Sequence, residues 1–353
     1  MIKRNLGIDL LRALAMFGIV SLHLLGQGGI VHNLPPSSPN YYIFWVIEIL
    51  CMCSVNIFGI ITGYMYIKKE KYNSKRIIDL LITVIIYCLI ITIIFYAFNI
   101  CNIRMYGITE FIKGVFPPFV QGYWYITCYT LLFFLIPFIN KLLTNITKKE
   151  HMTIISILFI AFCIISTFIT KDALRIQYGY SPFWLMFCYI IGAYIKLYDI
   201  KKSKKYLIIA NIIIILITVL LGNYIGVFKA ISTKLMAYSS PLILLNSIYI
   251  FKFFDNLNIS KFQKTIKYLS NTSFGVYILH GHILIYYHIL QNIFPKYFDM
   301  TSLTFILYYI FILVAIYIVC SLIDYLKQKI FKLKIPNKVI DFVSIKFNKL
   351  LNY

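Results

Sequence analysis

Residues 6–25 read LGIDLLRALAMFGIVSLHLL. The stretch is long and apolar enough to cross a bilayer, which takes about 20 residues. Yet it carries three ionisable residues, Asp9, Arg12 and His23. Arg12 and His23 are eleven residues apart, close to three full helical turns. On a helix both point the same way, roughly 16 Å apart along the axis. Asp9 stands three residues before Arg12 and can reach it as an (i, i+3) ion pair. Ionisable groups in a spanning helix are costly and turn toward the protein interior or a water-filled cavity. One face of the first helix is therefore expected to present a carboxylate, a guanidinium and an imidazole in a line.

The rest of the chain agrees with a membrane setting. Of 353 residues, 61% are hydrophobic and 13% charged, with a mean hydropathy of +0.82. A soluble domain is about 45–50% apolar and about 25% charged. Apolar runs fall near 6–25, 43–66, 77–100, 123–139, 153–170, 183–195, 206–221, 235–254, 272–290 and 302–325. The expectation is an all-α polytopic membrane protein of about ten spans, with no room for a separate soluble domain of ordinary size. Residues 1–326 form the transmembrane domain and 327–353 a basic cytoplasmic tail, either amphipathic on the inner surface or solvated. The eight cysteines lie in apolar runs or at the end of one, with no paired spacing in polar loops. Neither a disulfide framework nor a metal site is expected. The first run lacks a cleavage site, so it reads as a span and not as a signal peptide.

A net charge of +22 would suggest nucleic acid in a soluble protein. Placing each basic residue gives another meaning. With the N-terminus in the cytoplasm, the inner segments hold 26 Lys and Arg and the outer ones 7, Arg12 being the remaining one of 34. This bias fits ten spans with both termini cytoplasmic, and no nucleic-acid partner is expected.

Orientation sets depth. Arg12 lies about 9 Å in from the cytoplasmic side and His23 about 25 Å in, near the outer side. Glu48, in the second span, reaches about 9 Å below the outer surface, close to the level of His23. A Glu48–His23 contact would orient the ring and raise its basicity. The plainer readings are an Arg12 snorkelling to inner headgroups, an interfacial His23 and an exposed Glu48. In the 272–290 run, His280 lies near mid-bilayer, and on a continuous helix His282 would point nearly opposite. That spacing does not suit a helical metal pair, which favours i, i+4. Asp79 and Asp324 sit at cytoplasmic helix ends, where an interfacial carboxylate needs no function. Trp124 and Tyr125 open a span at the outer side, as an aromatic belt would.

These residues carry a resemblance. Arg12-x10-His23 within IDLLRALAMFGIVSLH is similar to the first-helix motif of acyltransferase family 3, membrane proteins that O-acylate surface polysaccharides and related envelope molecules. FGIITGYMYIKK (58–69) resembles the family's second-helix ending, with Thr62 where Ser is usual. YWYITCYTLLFFLIPFIN resembles its Trp-Tyr-Leu helix ending in Pro, which maps to Trp124, Tyr125 and Pro137. SFGVYILH resembles a late helix with Tyr-x-x-His, which maps to Tyr277 and His280. The chain looks like the stand-alone form, without the extracellular esterase-like domain of some members.

The resemblance implies an O-acyltransferase that moves an acyl group, usually acetyl, from cytoplasmic acyl-CoA to a hydroxyl outside.

 Transfer from a thioester needs a general base, and a neutral histidine suits that at neutral pH, so His23 is the candidate. The thioester oxyanion needs donors, with His280, Tyr125 and Trp124 as candidates. Arg12, held by Asp9, can donate to the donor's phosphates or to the thioester region. Asp9, Arg12, His23 and His280 are thus the expected catalytic set, with Glu48, Trp124, Tyr125 and Tyr277 lining the substrate site. The implied partners are acetyl-CoA or another acyl-CoA as donor substrate, with no bound cofactor, and membrane lipids. The implied acceptor is a polysaccharide such as capsule or exopolysaccharide, or a lipid-linked glycan, at a bacterial plasma membrane. A transporter or flippase for an envelope glycan is the competing reading. It too would carry buried charges, but no repeated halves or paired broken helices are evident.

Overall fold

A computed structural model describes residues 4–35, 37–69, 74–116, 122–168, 172, 174–199, 206–207, 209–210, 213–214, 217, 234–330, 341 and 345–346. Most of the 206–221 run, residues 117–121 of the long outer loop and most of the tail lie outside the described residues. All regular secondary structure among the described residues is helical. Six helices there are long and apolar enough to cross a membrane.

The chain order begins with α1 (Leu6–Gly26), α2 (Asn40–Tyr66) and α3 (Ser74–Ala97). A short helix, α4 (Gly107–Val115), precedes α5 (Trp124–Thr144). Next comes α6 (Lys148–Phe159), extended by a π-helical turn at Ile160–Ile165 and by Ser166–Phe168. Then follow α7 (Pro182–Tyr198), α8 (Pro241–Asp255), α9 (Gln263–His280), α10 (Ile283–His288) and α11 (Ser302–Ile330). Local chemistry sets several of the starts. Asn5 caps α1 by accepting from the Gly7 and Ile8 amides. Thr147 and Glu150 form a capping box on α6. Ser181 and Ser240 cap α7 and α8, each followed by a proline at the first helical position.

The first helix is the most buried of the six candidate spans. It packs against α2, α8, α9 and α11. Its Asp9 is buried among these helices and Arg12 is half-buried beside it. The closest pairing is between α2 and α7, where Gly59 and Gly63 of one meet Cys188, Tyr189 and Gly192 of the other. Asn56 locks this pair to the start of α8: its amide donates to the Tyr238 carbonyl at 2.9 Å and its oxygen accepts from the Trp184 indole at 2.8 Å.

Three expectations change. The run at 272–290 is not one helix: α9 starts at Gln263, nine residues before the run, and stops at His280. His282 caps α10 instead, its Nδ1 accepting from the Leu284 amide at 3.3 Å. With Nδ1 accepting, the Nε2–H donates to the Gly114 carbonyl at 3.0 Å. His280 and His282 therefore do not lie on opposite sides of one helix. The long outer loop also has order of its own, because α4 folds back on α3 and α10 and supplies that Gly114 carbonyl. Finally, Asp324 is buried and not interfacial. It accepts from Tyr87 Oη at 2.7 Å and Gln328 Nε2 at 2.6 Å, and so ties α11 to α3.

Because His282 holds both the cap and the α4 contact, His282→Ala is expected to lower stability by about 2 kcal/mol. A fall in the melting temperature of the detergent-solubilised protein would register it. An unchanged melting temperature would mean that Gly281 alone sets the break.

Candidate active site

One cavity of about 340 Å³ contains both Arg12 and His23 in its wall. Helix α1 runs the length of it, contributing Arg12, Met16, Ile19 and His23, which succeed one another at helical spacing. The two ends differ in chemistry, while Met16, Ile19, Val55 and Ile61 make the stretch between them apolar.

The Arg12 end is polar and cationic. Asp9 is buried and pairs with Arg12 at 3.4 Å, and a second guanidinium, Arg4, also grips it. Ser270 of α9 joins them: its hydroxyl donates to Asp9 Oδ1 at 3.2 Å and accepts from Arg12 Nη1 at 3.1 Å. The Arg12 side chain is 27% exposed. It is therefore held by protein partners while keeping part of its surface open to the cavity. Arg76, at the start of α3, lines the same end and lies over the Tyr66 ring at 5.0 Å. Ser270 and Asn271 complete the polar rim.

The His23 end is aromatic. Trp124, Tyr125 and Tyr277 line it, with Tyr238. Trp124 touches Tyr125, Tyr180 and Tyr238, with ring centroids 5.6, 4.7 and 6.2 Å away. The belt reading of Trp124 and Tyr125 is thus replaced by a place in the cavity wall. Tyr277 packs on Tyr123, whose hydroxyl donates to the Ile278 carbonyl, and this anchors α5 to α9. The His280 ring sits beside His23, with centroids 4.9 Å apart. It is buried and does not itself line the cavity. Its Nδ1 lies 2.6 Å from the Val276 carbonyl. A carbonyl only accepts, so Nδ1 carries the proton and the neutral ring has no N–H left for an oxyanion. Of the three expected oxyanion donors, Trp124 and Tyr125 remain.

Glu48 departs from expectation. It is buried, its Oε2 has no hydrogen-bond partner, and no hydrogen bond or ion pair joins it to His23. Depth alone suggested that contact, and the structure does not form it. Cys51, one turn on from Glu48, donates to Ser21, which also bonds Tyr309. The Glu48 face of α2 therefore meets the Ser21 side of α1. His23, two residues on, points about 200° away.

Arg76, Tyr66, Tyr129, Tyr238, Ser270 and Asn271 were not expected at the site. Arg76 counts only as one charge in a basic inner segment, Ser270 and Asn271 lie between two apolar runs, and the three tyrosines lie in runs without a local signal.

A model of the acyltransferase 3 family, described as an acyltransferase domain, matches residues 5–325. Searches of curated proteins and of solved structures find no match. The family match spans nearly the whole chain and takes in both ends of the cavity, so the chain belongs to the acyltransferase 3 family, whose members carry out acyl transfer in membranes.

Proposed function

We propose that this protein transfers an acyl group, acetyl in the first instance, from cytoplasmic acyl-CoA to a hydroxyl of an extracytoplasmic acceptor, a cell-surface polysaccharide or lipid-linked glycan. The observation that carries the reading is that Arg12 and His23 line one cavity; in the proposed topology its cationic end faces the cytoplasm, where the donor is made. In this reading the chain crosses the plasma membrane of a bacterium about ten times, with both termini in the cytoplasm. Residues 1–326 are the catalytic domain and 327–353 a basic tail. The 26-to-7 distribution of basic residues supports that topology.

The donor is a long molecule with phosphates at one end and a thioester at the other. Arg12 and Arg76 suit the phosphates, since guanidinium groups bind them through paired hydrogen bonds. Asp9 and Ser270 hold Arg12 in place. The apolar stretch between takes the arm and brings the thioester to His23. The acceptor hydroxyl gives its proton to a His23 ring nitrogen as its oxygen attacks the thioester carbonyl. Trp124 Nε1–H and Tyr125 Oη–H are the wall donors available to the oxyanion. When the carbon–sulfur bond breaks, the thiolate takes the proton back from His23, and ester and free CoA leave.

Ester analysis of surface glycans tests the reading. Deleting the gene should remove O-linked acyl groups and leave the polymer. Unchanged ester content would overturn the proposal, and loss of the polymer itself would favour transport. Arg12→Ala and Arg76→Ala are expected to raise KM for acetyl-CoA about 10- to 100-fold, the worth of a charge-assisted hydrogen bond. Arg12→Lys should recover only part of this, because it keeps the charge and loses the fork. Asp9 retains Arg4 in the Arg12→Ala protein, so the fold is not left with an unpaired buried carboxylate. An unchanged KM in both alanine variants would remove the phosphates from this end.

A further inference from the structure

His23 and His280 each present one nitrogen with no partner. Nδ1 of His23 and Nε2 of His280 are both buried and make no hydrogen bond. Their rings are neighbours, 4.9 Å between centroids and inclined at 44°. Buried polar groups are normally paired, and every exception asks for a reason.

The tautomer of one ring dictates that of the other. His280 commits its N–H to the Val276 carbonyl, so its Nε2 is a lone pair. Its place is well fixed: His280 ends α9, and two residues on His282 is bonded to Gly114. The two orphan atoms can satisfy each other only if His23 Nδ1 carries the proton. His23 then has its hydrogen on Nδ1, and its Nε2 is the basic nitrogen of the ring that lines the cavity. Tyr286 meets the His23 ring edge-on at 5.1 Å and limits its rotation.

We propose that His280 is a positioning residue for His23. The structure holds these two nitrogens just outside hydrogen-bond geometry; as the rings close up, His280 Nε2 accepts from His23 Nδ1–H, selects the tautomer with a free Nε2, and steadies the imidazolium formed while His23 holds the acceptor's proton. This rests on the reading of His23 as the base. The proton moves from the acceptor hydroxyl to His23 Nε2 and on to the departing thiolate, and the proton on His23 Nδ1 stays throughout.

The test uses the full chain reconstituted in lipid, with acetyl-CoA and a hydroxyl acceptor. His280→Phe keeps a planar ring without an acceptor, and His280→Gln keeps an acceptor oxygen without the ring. His280→Phe should lower kcat on the order of 10²-fold with KM for acetyl-CoA unchanged, and His280→Gln should be the more active of the two. A residue that only fills space would give the reverse order, which overturns the proposal, as would a His280→Phe enzyme at the parental kcat. Nitrogen NMR of 15N-histidine-labelled wild-type protein, with His23 assigned by difference from His23→Ala, needs no folded His280 variant. A proton on His23 Nδ1 supports the proposal, and one on Nε2 overturns it. Failure of wild-type protein to transfer any acyl group would instead overturn the acyltransferase reading, and the tautomer remains readable in that case.

Discussion

His23→Ala is expected to reduce acyl transfer on the order of 10³-fold, within the range for loss of a general base, while the protein remains folded. The two halves of that expectation have separate grounds. His23 lines the cavity at the far end from Arg12, in reach of any thioester whose phosphates lie at the guanidinium end. Its imidazole bonds to no backbone group, and the one polar neighbour proposed for it is His280 Nε2, which is itself an unpaired buried atom. Removing the ring therefore breaks no contact that holds two helices together. It leaves only a small gap beside Tyr286 and His280. Acetyl transfer from labelled acetyl-CoA, measured alongside the melting temperature, checks both halves. A folded variant that still transfers near the parental rate would exclude His23 as the base and leave binding at the Arg12 end intact.

The parts of this site that lie within one helix were legible in the sequence. The shared face of Arg12 and His23 follows from helical rotation over eleven residues, and the Asp9–Arg12 pair from a spacing of three. Contacts between helices were not legible in the same way. Glu48 and His23 have matched depths, but whether two helices turn those faces together depends on packing, and Cys51 and Ser21 occupy the interface. Arg76 carried a signal for topology only, since nothing near it in the chain says that α3 starts beside Arg12. The break after His280 had a local cue in Gly281. Its cause, a histidine shared between the α10 cap and a carbonyl of α4, involves residues 168 positions apart. His280 was visible as a residue but its role was not, because the role turns on which nitrogen the Val276 carbonyl engages.

Gly63→Leu is expected to have the largest effect on the fold of any single change considered. Lipid is as apolar as leucine, so helices in a membrane associate through close packing, and small residues four apart allow it. Gly59 and Gly63 form such a pair in GIITG on α2. A Cβ at Gly59 would stand 2.6 Å from Cys188 Cβ, and one at Gly63 would meet the Tyr189 carbonyl within bonding range of its backbone. The opposing Gly192 would in turn meet the Ile60 carbonyl. The obstruction is backbone on both sides, which cannot turn aside as a flexible side chain can. Gly63→Ala should already separate α2 from α7, at about 1–3 kcal/mol for overpacking, and the branched chain of Gly63→Leu should prevent the pairing. The loss reaches the site, because α2 also carries Val55, Phe58, Ile61 and Thr62 of the cavity wall. Gly26→Ala is the control: a Cβ there meets nothing within 4 Å, and its melting temperature should stay at the parental value or rise. Monodisperse, detergent-solubilised Gly63→Leu protein with a parental melting temperature would show that α2 and α7 do not need this contact, and the close crossing would then no longer account for the glycine in the Thr62-Gly63-Tyr64 segment.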